Sequence, residues 1–140
     1  MRLQVTVWSV LFTALVLAPP APAAPPSGRS PDELFAKAVT LHQAGDTLGA
    51  IQYYEAVLEQ QPDRVDARSN LGAAYVKLGR YEEAIKHYNR ALSAGSEVVG
   101  LRFNLGLAYY KADQIPEAAE QFAAVHKLAP KNASASLLLA

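Results

Sequence analysis

The fold is decided by residues 71–92, which read LGAAYVKLGRYEEAIKHYNRAL. Apolar side chains recur three and four residues apart on both sides of Gly79, a spacing typical of two amphipathic helices. Glycine tolerates the left-handed conformation that often ends a helix, so Gly79 marks the break between them. This stretch therefore predicts a pair of helices joined by a tight turn.

The same pattern returns at an interval of 34 residues. Tyr54 is followed at this interval by Tyr88 and Phe122, and Leu71-Gly72 is followed by Leu105-Gly106. A fixed period of this length is typical of stacked helical repeats, in which no single unit buries its apolar face alone. The pattern predicts helices near 31–44, 47–60, 65–78, 81–94, 99–112 and 115–128, and a seventh from about Ala133.

These periods divide the chain into an N-terminal leader and a repeat region. We expect a signal peptide at 1–23, a Pro/Ala-rich linker at 24–30, repeats at 31–64, 65–98 and 99–132, and the start of a fourth repeat at 133–140. The fold class predicted is an all-α superhelix of three stacked helix pairs. Because the fourth repeat stops early, we expect either a longer natural protein or self-association through the open C-terminal end.

The first thirty residues have the three parts of a secretory signal. Arg2 is followed by an apolar run over 3–18 and by the small-residue triplet Ala21-Pro22-Ala23, after which cleavage is expected. The run is shorter than the roughly 20 residues of a membrane-spanning helix. We therefore expect an exported protein, periplasmic or secreted, without stable membrane insertion after cleavage. An uncleaved membrane anchor is the alternative.

Local signals refine the first repeat. Ser30 and Glu33 form the pattern of a capping box around Pro31, which suits the first position of a helix. Gly49 stands inside the predicted second helix and lowers its stability by about 1 kcal/mol relative to alanine. The first unit is therefore expected to be the loosest of the three.

The period, the series Leu71-Gly72, Tyr75, Gly79, Ala84, Tyr88 and Ala91, and the closing Pro62 and Pro130 resemble tetratricopeptide repeats. The resemblance covers residues 31–132. It implies a protein-interaction module that binds a partner protein or peptide in the concave groove lined by the first helix of each pair. The implied groove residues are Phe35, Val39, His42, Ser69, Asn70, Ala73, Val76, Lys77, Phe103, Asn104, Leu107, Tyr110 and Lys111.

A charged clamp for a C-terminal carboxylate, found in the chaperone-binding branch of this family, is not expected. Phe35, Val39 and Gly100 occupy positions where that branch carries polar or charged clamp residues, and only Asn70 and Asn104 offer side-chain amides. The two asparagines also suit an ordinary helix surface. Phe35 and Phe103 equally suit packing between repeats.

Catalysis, cofactors and nucleic acid are not expected. The thirteen basic residues balance thirteen acidic ones, so no broad positive surface for nucleic acid is predicted. There is no cysteine, the three histidines fall at different phases of the repeat, and no glycine-rich phosphate loop or nucleophile elbow occurs. We therefore predict no metal site and a non-catalytic interaction module. The alternatives are the targeting arm of a longer enzyme or regulator, and a self-assembling structural subunit.

Overall fold

The computed structural model describes residues 25–26, 28–95 and 98–130. Within these ranges the chain forms six α-helices and no strand: α1 (Pro31–Gln43), α2 (Thr47–Gln60), α3 (Val65–Lys77), α4 (Tyr81–Ser93), α5 (Val99–Lys111) and α6 (Ile115–Leu128). Each helix begins at the predicted residue and ends within one residue of the predicted end. The predicted seventh helix and the signal peptide lie outside the described residues.

The ends of the helices follow from local chemistry. Ser30 Oγ accepts from the Glu33 backbone N–H at 3.3 Å, and the Ser30 N–H donates to Glu33 Oε2 at 3.0 Å, which confirms the capping box. Gly79 lies in the turn between α3 and α4 and adopts the left-handed backbone conformation, with φ +73°. Asp113, at the same position one repeat later, holds φ +61° without being glycine.

Gly49 lies within α2, as predicted, and occupies the first turn of the helix. Its backbone N–H donates to Asp46 Oδ1 at 2.9 Å, and a Cβ at this position would lie 2.4 Å from Asp46 Oδ2. A side chain would therefore collide with the carboxylate that caps α2, and glycine serves that cap.

The helices stack in chain order. Each packs against the next, and α3 also contacts α5. The first helices of neighbouring units lie side by side: α3 contacts α5, and α1 and α3 share a cleft. In helical solenoids the elements on one side of the stack form an extended concave surface, and we assign α1, α3 and α5 to that side. The described part of the chain is thus an all-α helical repeat solenoid.

Aromatic rings and glycines hold each pair together. Tyr54, Tyr88 and Phe122 are almost completely buried at equivalent positions of the second helices. A Cβ on Gly72 would lie 2.7 Å from Tyr88 Cε1, and a Cβ on Gly106 would lie 2.6 Å from Phe122 Cε1. The close approach predicted for these two glycines is therefore required by the rings beneath them.

Candidate functional site

The residues proposed for the groove come from α1, α3 and α5, which share the concave side. None of them is completely buried. Lys77, Tyr110 and Lys111 are the most exposed, and Tyr110 leaves 56% of its surface open. Ten side chains are partly buried: Phe35, Val39, His42, Ser69, Asn70, Ala73, Val76, Phe103, Asn104 and Leu107. The helices thus leave a mixed apolar and amide surface accessible to solvent.

A first cleft opens between α1 and α3. It has a volume of about 270 Å³ and is lined by Val39, His42, Gln43, Tyr54 and Asn70. The structure therefore brings together three of the predicted groove residues with one residue from α2. Tyr54 was missed as a groove residue because its place in the period indicated only the core.

Tyr54 lines this cleft and contacts two aromatic side chains of α1. Its ring centroid lies 5.9 Å from that of Phe35 and 6.1 Å from that of His42. Burial raises the pKa of the Tyr54 hydroxyl, and a hydrogen bond from the Asn70 side chain partly opposes that shift. Part of the Asn70 amide is therefore used within the protein, and Asn70 is fixed in orientation at the cleft wall.

The groove carries little net charge around the first cleft. Burial lowers the pKa of His42, and the nearby Lys77 ammonium lowers it further, so the imidazole is neutral at pH 7. Lys77 and Lys111 are exposed at the carboxyl ends of α3 and α5. The cationic side of the groove thus lies at helix ends, where the helix dipole favours positive charge.

A second cleft opens between the amino ends of α3 and α5. It has a volume of about 410 Å³, and its walls include Val65, Ser69, Val98, Leu101 and Asn104. Valine and leucine side chains make most of its surface apolar, and its polar groups are the Asp66 carboxylate, the Asn104 amide and the Ser69 hydroxyl. Of the predicted groove residues, only Ser69 and Asn104 line this cleft.

Phe35 and Phe103 each contact an aromatic ring of their own repeat, and Phe35 also contacts Arg64 at the start of α3. Phe103 lies 5.8 Å from Phe122 between ring centroids, matching the contact of Phe35 with Tyr54. Arg64 covers the other face of Phe35, with Cζ 4.7 Å from the ring centroid. These contacts leave each phenylalanine with only a partial surface for a ligand.

The described residues contain no cluster of side chains placed to bind a metal ion. No group of three or more histidine, aspartate or glutamate side chains in the described ranges is placed to bind a metal ion. Asp46, four residues after His42, accepts from the Gly49 backbone instead. No helix within the described ranges has the length and apolar character needed to cross a membrane.

The stacked helix pairs and their inner groove define a helical repeat protein built for binding. Two tetratricopeptide-repeat models match the chain, over residues 41–97 and 103–140. Together they cover most of it, so the chain belongs to the tetratricopeptide repeat family. No curated protein matches the chain by sequence.

Solved structures share this fold. The first tetratricopeptide domain of Spaghetti (RPAP3), bound to the HSP90 peptide SRMEEVD, is 22% identical with a TM-score of 0.74, over 78% of this chain and 86% of that one. The second such domain of human RPAP3, in complex with the HSP70 peptide SGPTIEEVD, is 23% identical with a TM-score of 0.72, over 79% and 95%.

MamA from Desulfovibrio magneticus RS-1 is 24% identical, with a TM-score of 0.74 over 79% of this chain. The present chain covers 62% of that structure, less than two thirds of its length. At these identities the likeness concerns the fold alone.

Proposed function

We propose that this protein is an exported, non-catalytic interaction module that holds an extended segment of a partner protein along the concave groove. The observation that carries the proposal is the accessible apolar and amide surface on α1, α3 and α5. Family membership supports a binding role of this kind, since helical solenoids use extended concave surfaces to bind partners.

The groove chemistry suits a peptide main chain with apolar side chains. Val39, Leu107 and Tyr110 offer apolar contact, and a tyrosine with 56% of its surface exposed supplies contact area at small entropic cost. Asn104 carries an amide that can pair with a peptide backbone. Asn70 keeps part of its amide available beside the first cleft.

The segment bound is internal rather than a free C-terminus. The RPAP3 domains bind chaperone peptides that end in EEVD. In this chain Phe35 packs between Tyr54 and Arg64, Val39 is apolar, and no side chain projects from Gly100. Without charged donors at these positions, a terminal carboxylate would be desolvated without compensation.

Peptides selected from a random display library against the protein provide the test. Leu107→Glu places a charge in the groove and should weaken the selected peptides at least about tenfold. The matched control is Leu48→Glu, which places the same charge on α2, where 53% of Leu48 is exposed, and should bind like the wild type. The peptide SRMEEVD should bind more weakly than the selected peptides. Equal binding by Leu107→Glu, with circular dichroism showing an intact fold, would contradict the groove assignment.

Export is part of the same proposal and rests on the leader in residues 1–23. The intact mass of the protein from its source cells tests it. A chain beginning at Ala24 in the exported fraction supports cleavage of the leader. A chain that keeps residues 1–23 and sediments with membranes supports the anchored alternative and contradicts cleavage.

A further inference from the structure

The two junctions between neighbouring units differ at the amino ends of their first helices. At the first junction the Phe35 ring lies under the Arg64 guanidinium, and Arg64 Nη1 donates to Asp32 Oδ1 at 2.6 Å. The junction is thus closed by an aromatic ring, a cation and a carboxylate. At positions 34 residues later, Phe35 is replaced by Ser69 and Arg64 by Val98, whereas Asp32 corresponds to Asp66.

At these described positions the second junction therefore keeps the carboxylate and has neither the ring nor the cation. Serine and valine leave the 410 Å³ cleft between α3 and α5. Gly100 widens it, because a Cβ at this position would meet no heavy atom within 4 Å. Val98 is 52% exposed at the rim, and Val65 and Leu101 form apolar walls. The apolar walls of this space suit an aromatic side chain.

The Asp66 carboxylate at the rim of the cleft indicates which kind of side chain would bind next to an aromatic ring. Asp66 accepts from Arg64 on the side of the first junction, and 53% of its side chain remains exposed. A carboxylate keeps acceptor sites for a second cation. At the first junction Asp32 binds the cation that covers Phe35, so Asp66 stands where it can do the same for a cation beside a bound ring.

We infer that the second junction binds an aromatic side chain and an adjacent basic side chain of the partner segment, in the places that Phe35 and Arg64 fill at the first junction. The inference rests on the proposed function, since it names the residues that the groove selects. A partner with an aromatic–basic pair in an extended segment is the occupant that the apolar walls and the carboxylate favour.

The probe for this site is the dipeptide N-acetyl-Phe-Arg-amide, added to the full chain and followed by ¹H–¹⁵N correlation spectra. We expect saturable shifts at the backbone amides of Ser69, Gly100, Leu101 and Asn104. N-acetyl-Ala-Arg-amide has no ring and N-acetyl-Phe-Glu-amide reverses the charge, so each should bind about tenfold more weakly. Absence of saturable shifts, or equal binding by the alanine probe, overturns the inference.

Two variants fill the cleft in different ways. Ser69→Phe with Val98→Arg copies the plug of the first junction, and Gly100→Leu projects a side chain into the open space. Either should abolish the shifts, and a fold-preserving variant that binds like the wild type overturns the inference. Library-selected peptides separate the two proposals. If they lose affinity in Leu107→Glu but bind both filled variants normally, the groove assignment stands and the aromatic–basic site fails.

Discussion

We predict that His87 makes the stability of the second unit dependent on pH. Its ring stacks on Tyr75 with centroids 5.4 Å apart, and its Nδ1 is buried with no hydrogen-bond partner in the described part of the chain. Burial, followed by the positive charges of Arg68, Lys86 and Arg90, lowers the pKa of His87 from 6.5 to about 4, against an opposing contribution from Glu83.

The sign of the effect follows from proton uptake. Between pH 6.5 and about 4 the unfolded chain binds a proton at His87 and the folded chain does not. The contribution of His87 to stability is therefore fully present above pH 6.5 and is lost as the pH falls towards 4. A fully buried group with this difference would contribute about 3 kcal/mol. Because the ring is only partly buried, solvent screening reduces the loss to about 1–2 kcal/mol.

The substitution His87→Gln should remove this pH dependence. Gln121 stands at the same position one repeat later, and its Oε1 accepts from Arg102 Nη1 at 3.3 Å. Arg68 is the equivalent of Arg102, so a glutamine at position 87 can accept a hydrogen bond without titrating. Urea unfolding at about pH 7.5 and about pH 5 measures the result: the wild type should lose about 1 kcal/mol more than the variant on acidification.

The reciprocal variant, Gln121→His, supplies the matched control, because it places a titratable ring beside Arg102 in the third unit. It should increase the loss of stability on acidification. If His87→Gln and the wild type lose the same free energy of unfolding between the two pH values, the assignment to His87 is refuted.

Two further substitutions test the packing and the caps. Ser30→Ala removes the capping box, and we expect a loss of about 1 kcal/mol in the free energy of unfolding, with faster amide exchange in the first turn of α1; unchanged exchange there would contradict the role of the cap. Gly72→Val places a side chain against Tyr88, 2.7 Å from its Cε1, and should cost about 2 kcal/mol or more in urea unfolding. Gly100→Val is its control, because no atom lies within 4 Å of a Cβ there, and a similar loss in both variants would contradict the steric account.

The helices were predictable because their signal is local. Apolar residues three and four apart, repeated at one period, specify which face of each helix is buried before any partner is known. Asp113 shows where this reasoning stops. Glycine marks the turn at Gly79, but the third unit makes the same left-handed turn with Asp113. Aspartate tolerates this conformation, but it marks a helix end less distinctly than glycine does.

The helices that carry the proposed groove residues were predictable, but the clefts between those helices were not. Position in the period places Val39, Asn70 and Leu107 on the concave helices, since that depends only on helix geometry. It does not show that Tyr54 reaches the first cleft from α2, or that Arg64 covers Phe35. Both depend on side-chain conformations between residues distant in sequence, which a one-dimensional pattern does not contain.

The positions that repeat and the positions that vary therefore have different physical roles. Tyr88 and Phe122 each meet a glycine, Gly72 or Gly106, because a Cβ at either glycine would lie less than 3.0 Å from the ring. Phenylalanine at position 35 becomes serine at 69 without loss of that packing, since the ring beneath is held by its own helix pair. Variation at these positions leaves the stack intact and alters how the junctions between units are filled, so under the proposed function these differences between equivalent units select the bound segment.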